Sequence, residues 1–189
     1  MYYLNKHFYY KYRTRGASLL PVIAVYSIYE ILLSEMERYK NKKLDPLASH
    51  TSSDRSSGST GDIVIKDSTG NLYEVVEVKF DIPIDYTIIE DIYKKIASTK
   101  VKRYYVLSTK GIVESKKEFI SAKIESIESE HGCQIIVNGI MNSIKYYLRL
   151  INNTDEFLNT YLKNLELNTE LNHEHKIAWN SIMNETIKN

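Results

Sequence analysis

Three residues of this 189-residue chain, Asp62, Glu77 and Lys79, have types and spacing suited to metal-assisted chemistry on a phosphate. Side chains two apart on a strand share a face, so Glu77-Val-Lys79 sends its acid and its ammonium the same way. The segments Asp62-Ile-Val-Ile-Lys66 and Leu72-Tyr-Glu-Val-Val-Glu-Val-Lys-Phe80 are rich in β-branched residues and flank the turn signal Ser68-Thr-Gly-Asn71. They read as an antiparallel hairpin. A turn centred between Thr69 and Gly70 opposes Asp62 to Glu77, Ile63 to Val76 and Val64 to Val75, and a slip of one residue would send every side chain to the wrong face. Opposed Cβ atoms lie about 4.5–5.5 Å apart, close enough for both carboxylates to hold one small cation.

Like charges placed opposite each other destabilise a sheet unless something positive stands between them. Lys79 supplies one positive charge and a divalent metal would supply two. Magnesium held by one or two carboxylates and several waters is the usual arrangement for phosphoryl chemistry, with the Val78 carbonyl placed as a further ligand. Lys79 would then orient the attacking water or help remove its proton. The plainer alternative is a pair of sheet-edge salt bridges, and the bare spacing is common by chance. Against it, these charges interrupt otherwise apolar strands, where unpaired burial costs several kcal/mol.

The elements that must position these residues follow from pattern. Ala17–Leu33 is apolar, with Ser18 as a cap, Pro21 in the first turn, and Ile28, Ile31, Leu32 and Met36 at helical spacing. Preceded by the basic Lys11–Arg15, it has the layout of a signal peptide. Pro21, Ser27 and Glu30 interrupt it, no small-x-small cleavage site follows, and it is too short to span a bilayer, so it reads as a buried helix of a cytoplasmic protein. After a polar loop and the hairpin, Thr87 with Glu90 forms a capping box for a helix carrying Ile88, Ile92 and Ile96. Arg103–Leu107 is a strand. Ser115 with Glu118 opens another helix, bearing Ile120, Ile124 and Ile127, which Gly132 ends. Cys133–Val137 is the last strand, and the rest is helical, with Phe157, Leu158, Tyr161, Leu162 and Leu165 in a stripe behind Thr154. The expected architecture is a single α/β domain, with a core over residues 1–152 and a helical C-terminal extension over 153–189 packed on it.

At Asp62, Glu77 and Lys79 the chain resembles the PD-(D/E)xK nuclease superfamily, whose core is a helix, a strand meander bearing D…ExK, a helix and a strand. The stretches Arg15-Gly-Ala-Ser-Leu-Leu-Pro-Val-Ile-Ala, His50-Thr-Ser-Ser-Asp54, Gly61-Asp-Ile63, Glu77-Val-Lys79 and Arg103-Tyr-Tyr-Val-Leu-Ser-Thr109 resemble the SacI-like type II restriction endonucleases. The resemblance covers roughly residues 13 to 110. It implies a restriction-endonuclease-like core, a mixed sheet flanked by helices, and Mg²⁺-dependent cleavage of double-stranded DNA at a specific site. A homodimer and a cognate DNA methyltransferase as functional partner are implied as well. Gly61 stands where the family motif has Pro. No apolar strand precedes Asp62 to begin the meander. The chain is also short for a complete enzyme of that group, so an N-terminal recognition part could be absent.

Some members of the superfamily add an acid from the first helix, and Glu30, a charge embedded in an apolar run, is the candidate. His50, Ser52, Ser53 and Arg55 are expected to touch DNA or line the site. Charge adds two further surfaces. The whole chain balances 25 Lys+Arg against 24 Asp+Glu, which excludes a protein that coats nucleic acid by bulk attraction. Residues 86–111 nevertheless carry +4, from Lys94, Lys95, Lys100, Lys102, Arg103 and Lys110 against Glu90 and Asp91. Lys94, Lys95, Lys102 and Arg103 are the expected phosphate contacts there. Residues 1–29 also carry +4, from Lys6, Lys11, Arg13 and Arg15 with no acid. His173-Glu-His175 is a poor metal pair, since helix positions two apart do not face one another. The lone Cys133 excludes an internal disulfide and is expected to be buried and inert.

Overall fold

A five-stranded mixed sheet with helices on both faces carries the hairpin. The computed structural model describes residues 1–47 and 60–187. In chain order these form α1 (Tyr2–Phe8), α2 (Leu19–Glu35), β1 (Lys43–Leu44), β2 (Ile63–Lys66), β3 (Leu72–Lys79) and α3 (Tyr86–Ile96). They continue as β4 (Arg103–Ser108), α4 (Lys117–His131), β5 (Gln134–Gly139), α5 (Ile140–Tyr147), α6 (Thr154–Leu167) and α7 (His173–Ile187).

The strands lie side by side in chain order. β1, β2 and β3 form an antiparallel meander. β4 then pairs parallel to β3, and β5 parallel to β4. Parallel neighbours need a long crossover, and α3 and α4 supply it. β3 is the middle strand, and Glu74 through Val78 are buried in succession, as expected of a strand covered on both faces.

The hairpin has the expected pairs, Ile63 with Val76 and Val64 with Val75, but its turn closes at Lys66 and Leu72 and so centres on Thr69, not between Thr69 and Gly70. A bulge between Ile65 and Lys66 absorbs one residue before the turn. There the Asp67 side chain accepts hydrogen bonds from the Thr69 and Asn71 N–H groups, and Gly70 adopts φ +86°. The expected absence of a strand before Asp62 is corrected. Lys43–Leu44 pairs with Lys66 and Ile65, but it is two residues long and half polar, so no apolar run announces it.

Two apolar layers sandwich the sheet. On one face Ile63, Ile65, Val76, Val78 and Leu107 pack with α1, α2, α5, α6 and Trp179 of α7. On the other, Val75, Tyr104, Val106 and Ile135 pack with α3 and α4. α2 is buried on nearly every side, including Leu20, Val22, Ile23, Ala24 and Val25, because the sheet and α6 enclose it. The helices after residue 153 share this core through Phe157, Tyr161, Leu165 and Trp179.

Three expected caps are displaced. Asp85, not Thr87, caps α3 by accepting from the Ile88 N–H at 3.0 Å, which leaves Glu90 to receive the Tyr86 hydroxyl. A short 3₁₀ turn over Glu114–Lys116 consumes Ser115, so α4 starts at Lys117 without a side-chain cap. Asn153 caps α6 ahead of Thr154. Ser18 does precede α2, but its side chain makes no capping hydrogen bond. Gly132 ends α4 at φ +78°, as expected.

Candidate active site

Gly61 brings Asp62 to the end of β2. The backbone there lies so close to the sheet that a Cβ at Gly61 would collide with the Val75 side chain and stand 3.1 Å from the Val76 carbonyl. A proline ring has no room there either. Asp62 Oδ2 accepts the Val78 N–H at 2.7 Å. In an extended strand the N–H and C=O of one residue face the same neighbour, so the Val78 carbonyl is directed to the side on which Asp62 sits. The Asp62 carboxylate therefore rests on the main chain of the Glu77-Val-Lys79 segment.

Glu77 is only 6% exposed. Its carboxylate receives Lys79 Nζ at 2.5 Å and Lys95 Nζ at 3.3 Å. Burial opposes its ionisation, but the ammonium groups of Lys79 and Lys95 outweigh burial and hold its pKa below the ordinary carboxylate range. The Tyr104 hydroxyl lies 3.1 Å from Glu77 Oε2 and 2.6 Å from the Thr60 carbonyl, so its one proton serves two acceptors. Burial first, and then the Glu77 charge, push the Tyr104 phenol far above its usual pKa, so it stays a neutral donor.

Asp62 also opens onto a cleft of about 460 Å³ between the sheet and the start of α2. Arg15, Ser18, Val22, Val78, Glu170 and Asn172 share its lining. Glu170 comes from the turn before α7 and was not marked by any sequence pattern. Tyr104 was equally missed. Alternation along Arg103-Tyr-Tyr-Val-Leu separates Tyr104 from Tyr105, but only the parallel register of β4 on β3 puts Tyr104 beside Glu77.

The other expected site residues are dispersed. Glu30 accepts a hydrogen bond from Asn164 of α6. It lies eight residues beyond Val22 of the cleft, about 12 Å along the helix. α6 thus claims the acid expected to join Asp62. Lys94 is exposed and paired with Asp91 at 3.2 Å. Lys95 belongs to the Glu77 cluster. Lys102 and Arg103 stand at the start of β4, where Arg103 is level with Glu74, whereas Lys79 is level with Ser108. Five residues of strand, about 16 Å, separate the two levels. His50, Ser52, Ser53 and Arg55 lie outside the described residues.

Among the described residues no three His, Cys, Asp or Glu side chains converge as a metal group. A hard cation such as Mg²⁺ needs only one or two carboxylates if water fills its remaining positions. Asp62, Glu77 and the Val78 carbonyl offer oxygen donors only, the donor chemistry such an ion takes. Among the described residues no helix is long and apolar enough to cross a membrane. No protein-family model matches the chain, and no curated protein matches it.

Proposed function

We propose that the chain is a metal-dependent DNA endonuclease with a restriction-endonuclease-like core, in which Asp62 and Glu77 hold Mg²⁺ and Lys79 assists the water. The observation that carries this reading is the placement of Asp62 beside Glu77-Val-Lys79 at the end of the β2–β3 pair. The order of elements supports it too: a helix, a three-strand meander, a helix and a parallel strand. A bound Mg²⁺ would offset charge on the scissile phosphate and lower the pKa of a coordinated water.

The chain's own residues then divide the work. Asp62 and Glu77 present carboxylate oxygens, with Asp62 fixed by the Val78 N–H. Lys79, ion-paired to Glu77 and with its side chain 25% exposed, can orient the attacking water and stabilise the hydroxide it becomes. Tyr104 anchors Glu77 from the buried side through its hydroxyl. Lys95 holds the opposite oxygen from that taken by Lys79 and limits the swing of the carboxylate. The substrate is double-stranded DNA cut at a specific site, the working form a homodimer, and the functional partner a cognate methyltransferase.

Incubation with plasmid and with branched DNA, in Mg²⁺ or Mn²⁺ and with EDTA, tests the reading. Discrete metal-dependent fragments with 5′-phosphate ends are expected. Cutting confined to branched or damaged DNA would move the assignment to a repair or recombination nuclease. A second reading, a catalytically silent DNA-binding module, is favoured by the two lysines that already neutralise Glu77. Binding of DNA with no cutting in either metal would favour that second reading over the first.

A further inference from the structure

The two basic stretches, alike in the sequence at +4 each, differ in what their cations touch. In residues 86–111, Lys94 pairs with Asp91, Lys95 with Glu77 and Lys110 with Asp81. Lys102 and Arg103 sit at the far end of β4 from Lys79. Lys11, Arg13 and Arg15 are exposed, and among the described residues their side chains have no ion-pair partner. Arg15 lines the cleft that Asp62 and Glu170 also face.

The loop that carries these cations is held by its backbone. Glu174, in the first turn of α7, accepts from the N–H groups of Arg13 and Thr14 and from the Thr14 hydroxyl, at 2.8–3.1 Å. Asn172 donates to the Arg15 carbonyl at 3.1 Å. Gly16, at φ +123°, turns the chain into α2 against the buried His175 ring. One acid from the C-terminal helix thus satisfies the loop's main chain while three cationic side chains stay in solvent. Two further contacts tie the loop's approach to the site. Tyr9 packs on Phe80, the residue after Lys79, at 5.3 Å between ring centroids. Tyr12 lies 4.3 Å from His175.

We propose that the Lys11–Arg15 loop, set in place by Glu174 of α7, is the edge of the cleft that grips the phosphodiester backbone of a nucleic acid. This rests on the nuclease reading for what happens in the cleft, but binding can be measured without cleavage. Phosphate contacts position a duplex and carry no sequence information, so the loop supplies affinity and register. Glu174 is a positioning residue that acts through the loop.

The test is equilibrium binding of a fluorescent DNA duplex in EDTA, as a function of salt. Each phosphate contact contributes about 0.9 to the slope of log K against log salt. The triple variant Lys11→Gln, Arg13→Gln, Arg15→Gln is expected to lose roughly 2.7 from the slope, and the affinity ratio between about 50 and 200 mM salt then shrinks roughly 40-fold. Glu174→Ala separates positioning from charge by sign. Removing an acid should tighten binding to a polyanion, whereas loss of the loop's anchor should weaken it. Weakening is expected, with partial recovery in Glu174→Gln, which keeps one acceptor oxygen. Lys100→Gln with Lys102→Gln is expected to leave the slope unchanged.

An unchanged slope in the triple variant, or an equal loss in the Lys100/Lys102 control, would overturn the loop as the interface. Tighter binding by Glu174→Ala would overturn its positioning role. Should the wild type cut plasmid while the triple variant binds and cuts as well, this inference falls alone. Should DNA bind through the loop yet never be cut, the nuclease reading falls alone.

Discussion

Two carboxylates three residues apart on β3, Glu74 and Glu77, are both buried, yet their surroundings differ in kind. Glu74 is fully enclosed on the α2 face. It receives the hydroxyls of Tyr29 at 2.6 Å and Tyr39 at 2.9 Å, and the Arg38 guanidinium at 2.7 Å. Glu77, on the α3 face, is met by two lysines whose side chains are 25% and 38% exposed, and it stands beside Asp62. Rigid aromatic donors lock the first acid. One tyrosine, Tyr104, and two ammonium groups hold the second. Burial alone therefore does not mark a functional acid. What distinguishes Glu77 is that two ammonium groups meet its carboxylate, on the strand segment whose main chain Asp62 contacts.

The largest expected effect separates these two acids by stability. Glu74→Ala strands two buried tyrosine hydroxyls and breaks a buried pair, which should cost about 3–5 kcal/mol in urea denaturation. Glu77→Ala should cost about 1 kcal/mol, because its lysines can return to water. Equal losses would break the comparison. A smaller effect concerns Gly61. Gly61→Ala must push Asp62 away from Val78, and a displacement of about 1 Å should lower cleavage about 100-fold while substrate binding in EDTA is retained. An unimpaired variant would mean that Asp62 is not held where its chemistry requires.

Acidity sharpens the contrast further. His7, in the same sealed layer as Glu74, accepts from Tyr161 on Nδ1 and donates to the His175 carbonyl from Nε2. Burial lowers its pKa to about 4, against an ordinary 6.5. The unfolded chain therefore takes up this proton first. His7 contributes stability that is full above about pH 6.5 and is lost as pH falls toward 4, about 2 kcal/mol between pH 7 and 5. Glu77, whose pKa is lowered, contributes only above the ordinary carboxylate range and loses that contribution at still lower pH. Urea titrations at pH 7 and 5 should thus show the sealed face weakening first, and His7→Asn should flatten that interval.

The hairpin was legible in the sequence because its register is set locally. Period-2 alternation suffices to oppose Ile63 to Val76 and Val64 to Val75, whereas the turn closes around five residues at Lys66 and Leu72, and only the bulge at Ile65/Lys66, which has no local signal, reconciles the two. β1 was not legible, since two residues of mixed polarity carry no periodic signal. The capping signals misled because Asp85 and Asn153, two and one residues ahead of Thr87 and Thr154, take the cap positions, while Ser115 falls in a 3₁₀ turn. Lys95, Tyr104 and Glu170 reach the site only through the packing of α3, the parallel pairing of β4 and the return of the chain before α7. Such long-range placements leave no local pattern. Glu30 shows the converse: a charge in an apolar run is an alert for burial, and Asn164 of α6 turned out to be what it faces.

The central claim is that Glu77 holds a metal for phosphodiester cleavage and Glu74 only holds the fold. Single-turnover cleavage of supercoiled plasmid, titrated with Mg²⁺ for the wild type and for Glu77→Gln, tests it most directly. The account predicts metal-dependent nicking by the wild type, and a rate for the folded variant lower by about 1000-fold or more at every metal concentration, as expected when several kcal/mol of metal-borne charge stabilisation is removed. Cleavage by Glu77→Gln at the wild-type rate and with the same metal dependence would contradict it.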